Sequence, residues 1–144
     1  NLFKEINTLG AQLHTLSDGD IAAALWAARP EGDYDMLLGI GAAPEGVITA
    51  TAIRGIGGVF EGRLVFRSDA EEARAANMID DDLTRLWSAR DLCQSDDAVF
   101  VASGVCDGYL PGVKINQDGT IDTFAEMIDV ASRKITRHDR IHNQ

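Results

Sequence analysis

Apolar residues in this chain fall into helical stripes and short continuous runs, separated by glycines, prolines and acidic residues. Leu2, Phe3, Ile6 and Leu9 recur at helical spacing, and Gly10 is placed to end that helix. Residues 11–16 read as a short buried strand that runs into Ser17-Asp18-Gly19-Asp20. Ser17 or Asp18 is expected to cap a helix through residues 21–27, which Pro30 ends. A second apolar run, residues 36–40, reads as a strand leading into Gly41-Ala42-Ala43-Pro44-Glu45-Gly46. Pro44 suits a first helical turn, where its missing N–H costs nothing. That helix is expected to reach about Arg54, before Gly55, Gly57 and Gly58 break it. The β-α-β-α order predicts parallel strands joined by right-handed crossovers.

After the glycine break, residues 62–66 read as a strand, 70–76 as a helix, and 79–87 as helical or irregular. Residues 98–102 (Ala-Val-Phe-Val-Ala) form a clear buried-strand pattern. Residues 121–130 and 132–141 are expected to pair as an antiparallel hairpin, although the apolar spacing of 124–130 also fits a helix. Asp118-Gly119 is a further turn signal. The predicted fold is therefore α/β, mostly parallel in its first half, with an antiparallel C-terminal hairpin. With no internal repeat, linker or low-complexity tract, residues 1–144 are expected to form one domain.

At 144 residues and 45% hydrophobic, the chain is long enough for its own core. Its 13 Lys+Arg against 23 Asp+Glu give a formal charge of -10, which argues against nucleic-acid or anionic-membrane partners. The same charge repels a phosphorylated substrate, so a divalent cation, oriented backbone amides or a local basic cluster must offset it. Arg133, Lys134, Arg137 and Arg140 are such a cluster. Cys93 and Cys106 lack metal-ligand spacing and read as reduced thiols. There is no leader pattern and no apolar run long enough to span a bilayer, so a cytoplasmic location is expected. The chain opens Asn1-Leu2-Phe3-Lys4 without Met, inside a helical pattern, as expected of part of a longer polypeptide.

Candidate chemistry gathers at the two strand-to-helix junctions. Ligands of α/β domains sit at the carboxyl ends of strands, where helix N-termini present N–H groups. Asp18 and Asp20, flanking Gly19, are candidate acceptors for sugar hydroxyls; helix capping accounts for the same residues. Glu45, at the second helical position, is placed to reach a hard cation near bound phosphate, or simply to favour the helix N-terminus. Gly39, Gly41 and Gly46 imitate a dinucleotide fingerprint, but Pro44 stands where its last glycine belongs. Asp80-Asp81-Asp82 reads as a solvated helix start, His138 and His142 as surface residues, and His14 as a structural histidine in a strand.

The segments Leu16-Ser-Asp-Gly-Asp-Ile-Ala-Ala-Ala24 and Leu38-Gly-Ile-Gly-Ala-Ala-Pro-Glu-Gly-Val47 together resemble the class II fructose-1,6-bisphosphatases, including cyanobacterial relatives that also act on sedoheptulose-1,7-bisphosphate. The likeness continues, in order, through Gly62-Arg63-Leu64, Ser95-Asp96-Asp97-Ala98-Val99-Phe100, Ala102-Ser-Gly104, Ser132-Arg133 and Ile141-His142. Residues 67–92 match poorly. The resemblance implies a layered α-β-α sandwich of the sugar-phosphatase type, cytoplasmic and homo-oligomeric as a full-length enzyme. It implies hydrolysis of the 1-phosphate of fructose 1,6-bisphosphate in gluconeogenesis, with Mn²⁺ or Mg²⁺. Carried onto this chain, it places sugar-phosphate contacts at Asp18, Gly19 and Asp20 and a metal ligand at Glu45. A substrate-touching glycine of the family falls on Ala42, where a contact through the backbone N–H survives the added methyl and one that needs bare backbone is weakened by it. The family's other metal carboxylates, its Asp-Pro-Ile-Glu-Gly-Thr motif and an Arg-His-Asp substrate turn lie upstream of this chain's first residue. The chain is thus expected to supply the C-terminal half of the site and to be inactive alone. The alternatives are a non-catalytic sugar-phosphate binding module and, more remotely, a nucleotide-binding domain.

Overall fold

A computed structural model describes residues 2–143. In chain order the elements are α1 (Leu2–Thr8), α2 (Asp20–Ala28), α3 (Ala43–Ile56), β1 (Glu61–Gly62), α4 (Asp69–Met78), β2 (Trp87–Ser88), α5 (Ala89–Leu92), β3 (Val99–Ser103), β4 (Lys114–Ile115), β5 (Ile121–Asp129) and β6 (Lys134–His142). Strand β5 is the axis of the main sheet. One of its edges pairs with β3 and, beyond it, with β4; the other pairs with β6 along its whole length. A separate short ladder joins β1 to β2.

Every ladder among the described residues is antiparallel, which overturns the mostly parallel sheet expected from the sequence. Residues 11–16 and 36–40 join no ladder, and Leu16, Met36, Leu38 and Ile40 stay exposed. An apolar run states a preference for burial, not for a partner, and parallel pairing needs a neighbour delivered by a crossover. Here the sheet is built instead from segments close in sequence, all after residue 98, so its pairings close short loops. The sandwich is also incomplete. Helices cover the sheet face bearing Phe100 and Ile128, whereas Val99 and Val101 on the other face remain exposed. Of the strand expected at 62–66, only Gly62 enters a ladder. The C-terminal hairpin forms as expected, β5 facing β6 from Ile121↔His142 to Asp129↔Lys134.

The helices owe their limits to backbone chemistry. Helix α2 starts at Gly19 in the left-handed region (φ 84) with no side-chain cap, so neither Ser17 nor Asp18 plays the capping role expected. Helix α3 follows extended Ala42, carries Pro44 in its first turn, and stops at left-handed Gly57 (φ 88). Gly55 does not break the helix; it lies inside α3 and serves packing. A Cβ on Gly55 would stand 2.3 Å from Ile128 Cγ2, far inside the ordinary carbon contact distance. With Ala50 and Ala52 fully buried beside it, α3 presents a small-residue face that lets its backbone ride close to β5. Leu25, Ala52, Phe100 and Ile128 form the centre of the core, with Ile21, Ile56, Ala102 and Tyr109 packed around it.

The region after α4 is held by polar contacts. Ser88 and Asp91 form a reciprocal capping box at α5, and Arg85 pairs with both Asp81 and Asp91 while its guanidinium lies 4.4 Å from the Trp87 ring centroid. Asp82 accepts from Thr84 in a turn, so the acidic run Asp80-Asp81-Asp82 is a turn rather than the helix start expected. No helix among the described residues is long and apolar enough to cross a membrane.

Two outcomes follow from this packing. Gly55→Ala gains about 1 kcal/mol of helix propensity but overpacks against fully buried Ile128 at a cost of about 1–3 kcal/mol. Urea unfolding should show a lowered midpoint, and a raised midpoint would contradict the close approach. The Ser88 hydroxyl, then the Ser88 N–H and Arg85, pull the Asp91 carboxyl from 3.8 down to about 2. A lowered carboxylate pKa contributes stability above its unfolded value and loses it as pH falls through the folded one. Asp91→Asn should therefore flatten the acid loss of stability between about pH 4 and about pH 2.

Candidate functional site

Packing α2 and α3 against each other and against one sheet face brings their N-termini together. The junctions approach closely: a Cβ on Gly41, just before α3, would lie 3.4 Å from the Asp20 carboxylate that opens α2. Both junctions face an open cleft of about 620 Å³. Asp18, Gly19, Asp20, Ala42 and Glu45 all line it, so the structure brings together every site residue singled out in the sequence. All five are exposed to solvent.

The chemistry of this wall is specific. The first intrahelical bonds are Ala23 N–H to the Gly19 carbonyl (3.0 Å) and Gly46 N–H to the Ala42 carbonyl (3.2 Å). The N–H groups of Asp20, Ile21 and Ala22 in α2, and of Ala43 and Glu45 in α3, therefore have no acceptor within their helices. Such groups attract anions. Asp18 accepts from the Gly19 N–H at 2.7 Å and so orders its own turn. Against these donors stand the carboxylates of Asp18, Asp20 and Glu45, and among the described residues no Lys, Arg or His lines the cleft.

The basic cluster expected to balance the charge lies elsewhere. Lys134 and Arg140 are exposed on β6, and Arg137 reaches Glu126 Oε2 at 3.4 Å. The histidines also stay outside the cleft. His14 packs edge-on against Tyr34 (5.4 Å between centroids) and lies in a segment that joins no ladder, not in a strand; His142 Nε2 is 2.8 Å from Thr123 Oγ1. Among the described residues, no group of three or more His, Cys, Asp or Glu is gathered closely enough to hold a metal ion. A hard dication takes about six oxygens. Glu45 offers a single carboxylate toward such an ion.

The opposite wall was not read from the sequence. Residues 103–110 follow β3 and turn back over the cleft through Ser103, Gly104, Cys106, Gly108 and Tyr109. Gly104 is required here, because a Cβ would fall 1.9 Å from the Pro111 carbonyl oxygen. The signal for this wall was present: a buried strand followed by glycines at 104, 108 and 112 is the same pattern that marked the first two junctions. Both cysteines are free; Cys93 is buried and Cys106 is exposed in this wall.

Residues 1–142 match the family described as bacterial fructose-1,6-bisphosphatase, glpX-encoded. Among similar proteins is the D-fructose 1,6-bisphosphatase class 2/sedoheptulose 1,7-bisphosphatase of Synechococcus sp. (strain RCC307), 34% identical over 156 residues that cover 99% of this chain and 46% of that protein. The enzyme of the same description, numbered 1, from Acaryochloris marina (strain MBIC 11017) is 34% identical over 153 residues, covering 98% of this chain and 44% of its own length. That of Prochlorococcus marinus (strain MIT 9515) is 36% identical over 135 residues, 83% of this chain and 40% of its own. The chain spans about half the length of the curated relatives it matches. With a cleft built from two acid-bearing helix N-termini and a family match along nearly its whole length, this chain belongs to the glpX-encoded bacterial fructose-1,6-bisphosphatase family.

Proposed function

We propose that this chain supplies part of the active site of a sugar bisphosphatase that hydrolyses the 1-phosphate of fructose 1,6-bisphosphate. The observation that carries the reading is the convergence of Asp18, Asp20 and Glu45 on one cleft, between helix N-termini whose N–H groups suit phosphate oxygens. In this reading Asp18 and Asp20 accept hydrogen bonds from sugar hydroxyls and so orient the ester. Ala42 contacts substrate through its backbone. Glu45 provides one carboxylate toward Mn²⁺ or Mg²⁺, an ion that supplies charge neutralisation when bound.

Electrostatics argue that the cleft needs completing. A bisphosphate brought against three carboxylates without a cationic side chain is repelled. Phosphoryl transfer also requires an in-line nucleophile and charge neutralisation around the transferred group. The chain alone is therefore proposed to be inactive, with the remaining ligands and cations coming from polypeptide outside this sequence. The relatives' greater length supports that source. A non-catalytic sugar-phosphate binding module is the second reading, favoured by helix N–H groups suited to phosphate and carboxylates suited to hydroxyls lining one cleft.

In a full-length enzyme carrying this sequence, Glu45→Gln should lower phosphate release by about 10²-fold or more, the scale of losing a group that stabilises transition-state charge. The fold should be unchanged by circular dichroism, since Glu45 is exposed and makes no structural contact that the core depends on. Unchanged turnover at low Mn²⁺ would contradict the role given to Glu45. The 144-residue chain alone should release no phosphate above background; release at enzymatic rates, about 1 s⁻¹ or faster, would overturn the split-site reading.

A further inference from the structure

Behind the far wall of the cleft lies a carboxylate that the proposed chemistry does not use. Glu126, on the helix-facing side of β5, is fully buried (0% exposed). A carboxylate so placed must be hydrogen-bonded. Its Oε1 accepts from the Tyr109 hydroxyl at 2.5 Å and from Arg29 Nη2 at 2.6 Å, and its Oε2 lies 3.4 Å from Arg137 Nε. The Tyr109 ring is held as firmly as its hydroxyl. Trp26 meets it edge-on with centroids 6.0 Å apart, and the Arg29 guanidinium lies 5.3 Å from its centroid. Burial first, and then the bond to Glu126, raise the Tyr109 pKa above that of an ordinary phenol, so it remains a donor.

These contacts tie two walls of the cleft to the central strand. Trp26 lies in α2, the helix that opens with Asp20, and Arg29 follows its last turn. Tyr109 lies in the 103–110 wall, and Glu126 in the central strand. The ends of the loop are tied by Gly104 N–H to the Phe124 carbonyl (2.9 Å) and Val113 N–H to the Val105 carbonyl (3.2 Å). Between these ties, Gly112 N–H to Asp107 (2.8 Å) and Gly108 N–H to the Leu110 carbonyl (3.1 Å) are bonds within the loop. The Tyr109 hydroxyl is what bonds the middle of the wall to the sheet.

We propose that Tyr109 is a positioning residue: pinned by Glu126 and Arg29, it holds residues 103–110 as a fixed wall facing Asp18–Asp20 and Glu45, and so sets the width open to a sugar-phosphate ligand. The ligand class rests on the bisphosphatase reading; the clamp itself does not.

Tyr109→Phe keeps the ring and removes only the hydroxyl, and Glu126→Gln keeps an acceptor for that hydroxyl. Hydrogen–deuterium exchange on this chain reads both. In Tyr109→Phe, amides of residues 103–112 should exchange about tenfold faster while the 134–142 hairpin is unchanged, as expected when one charge-assisted bond is lost locally. Glu126→Gln should retain most of the protection of residues 103–112; should that variant fail to fold, Tyr109→Phe alone decides. In a full-length enzyme carrying this sequence, fructose 1,6-bisphosphate with Mn²⁺ should slow exchange of residues 103–112, with half-saturation about tenfold higher in Tyr109→Phe. Unchanged exchange in Tyr109→Phe overturns the clamp. Faster exchange with the same half-saturation overturns the positioning role. No ligand effect on the unaltered full-length enzyme counts against the sugar-phosphate reading, while the exchange comparison still decides the clamp.

Discussion

The close approach of α3 to β5 is the constraint on which the remaining geometry depends. Because Gly55 has no side chain and Ala52 very little, the α3 backbone reaches the Ile128 methyl directly. Helix α2 then closes the core with Leu25 over Phe100 and Ile128. Burial of this apolar cluster, worth about 1.5–3 kcal/mol per large side chain, outweighs the weak local preferences of either helix. Its by-product is the cleft. Two helices fixed against one sheet face bring their N-termini to the same cleft, carrying Asp20 and Glu45 with them.

That cleft is electrostatically one-sided. It offers helix N–H groups suited to phosphate and carboxylates suited to hydroxyls or a cation, yet no positive side chain lines it among the described residues. The nearby arginines are committed elsewhere: Arg29 to buried Glu126, and Arg54 to Asp96 and to the carbonyls of Cys93 and Ser95. The chain spans about half the length of the curated relatives it matches. Among the described residues, Leu16, Met36, Leu38 and Ile40 and the Val99–Val101 sheet face are exposed.

How much was legible in the residues depended on how local the determining physics is. Helix α4 and the β5–β6 hairpin follow from capping, periodicity and turn chemistry within a few residues, and both were read correctly. Helices α2 and α3 were legible as well, from apolar spacing and from Pro44 in a first turn. That residues 11–16 and 36–40 join no ladder was not legible, because an apolar run such as Met36-Leu37-Leu38 does not say whether it has a strand neighbour. Gly55 was misread as a helix breaker, since only the tertiary contact with Ile128 reveals its packing role. Glu126 carried a signal that went unread: a charge between Phe124 and Ile128 on the apolar face of a strand asks for buried donors.

The central claim is that the Asp18–Asp20 turn and Glu45 serve one ligand. Paramagnetic broadening of backbone amides by Mn²⁺, in the presence of fructose 1,6-bisphosphate, tests it most directly. The account predicts that amides of residues 18–20 and 42–46 broaden together over the same range of Mn²⁺ concentration. Broadening centred on Asp80-Asp81-Asp82, with residues 18–20 and 42–46 unaffected, would contradict it.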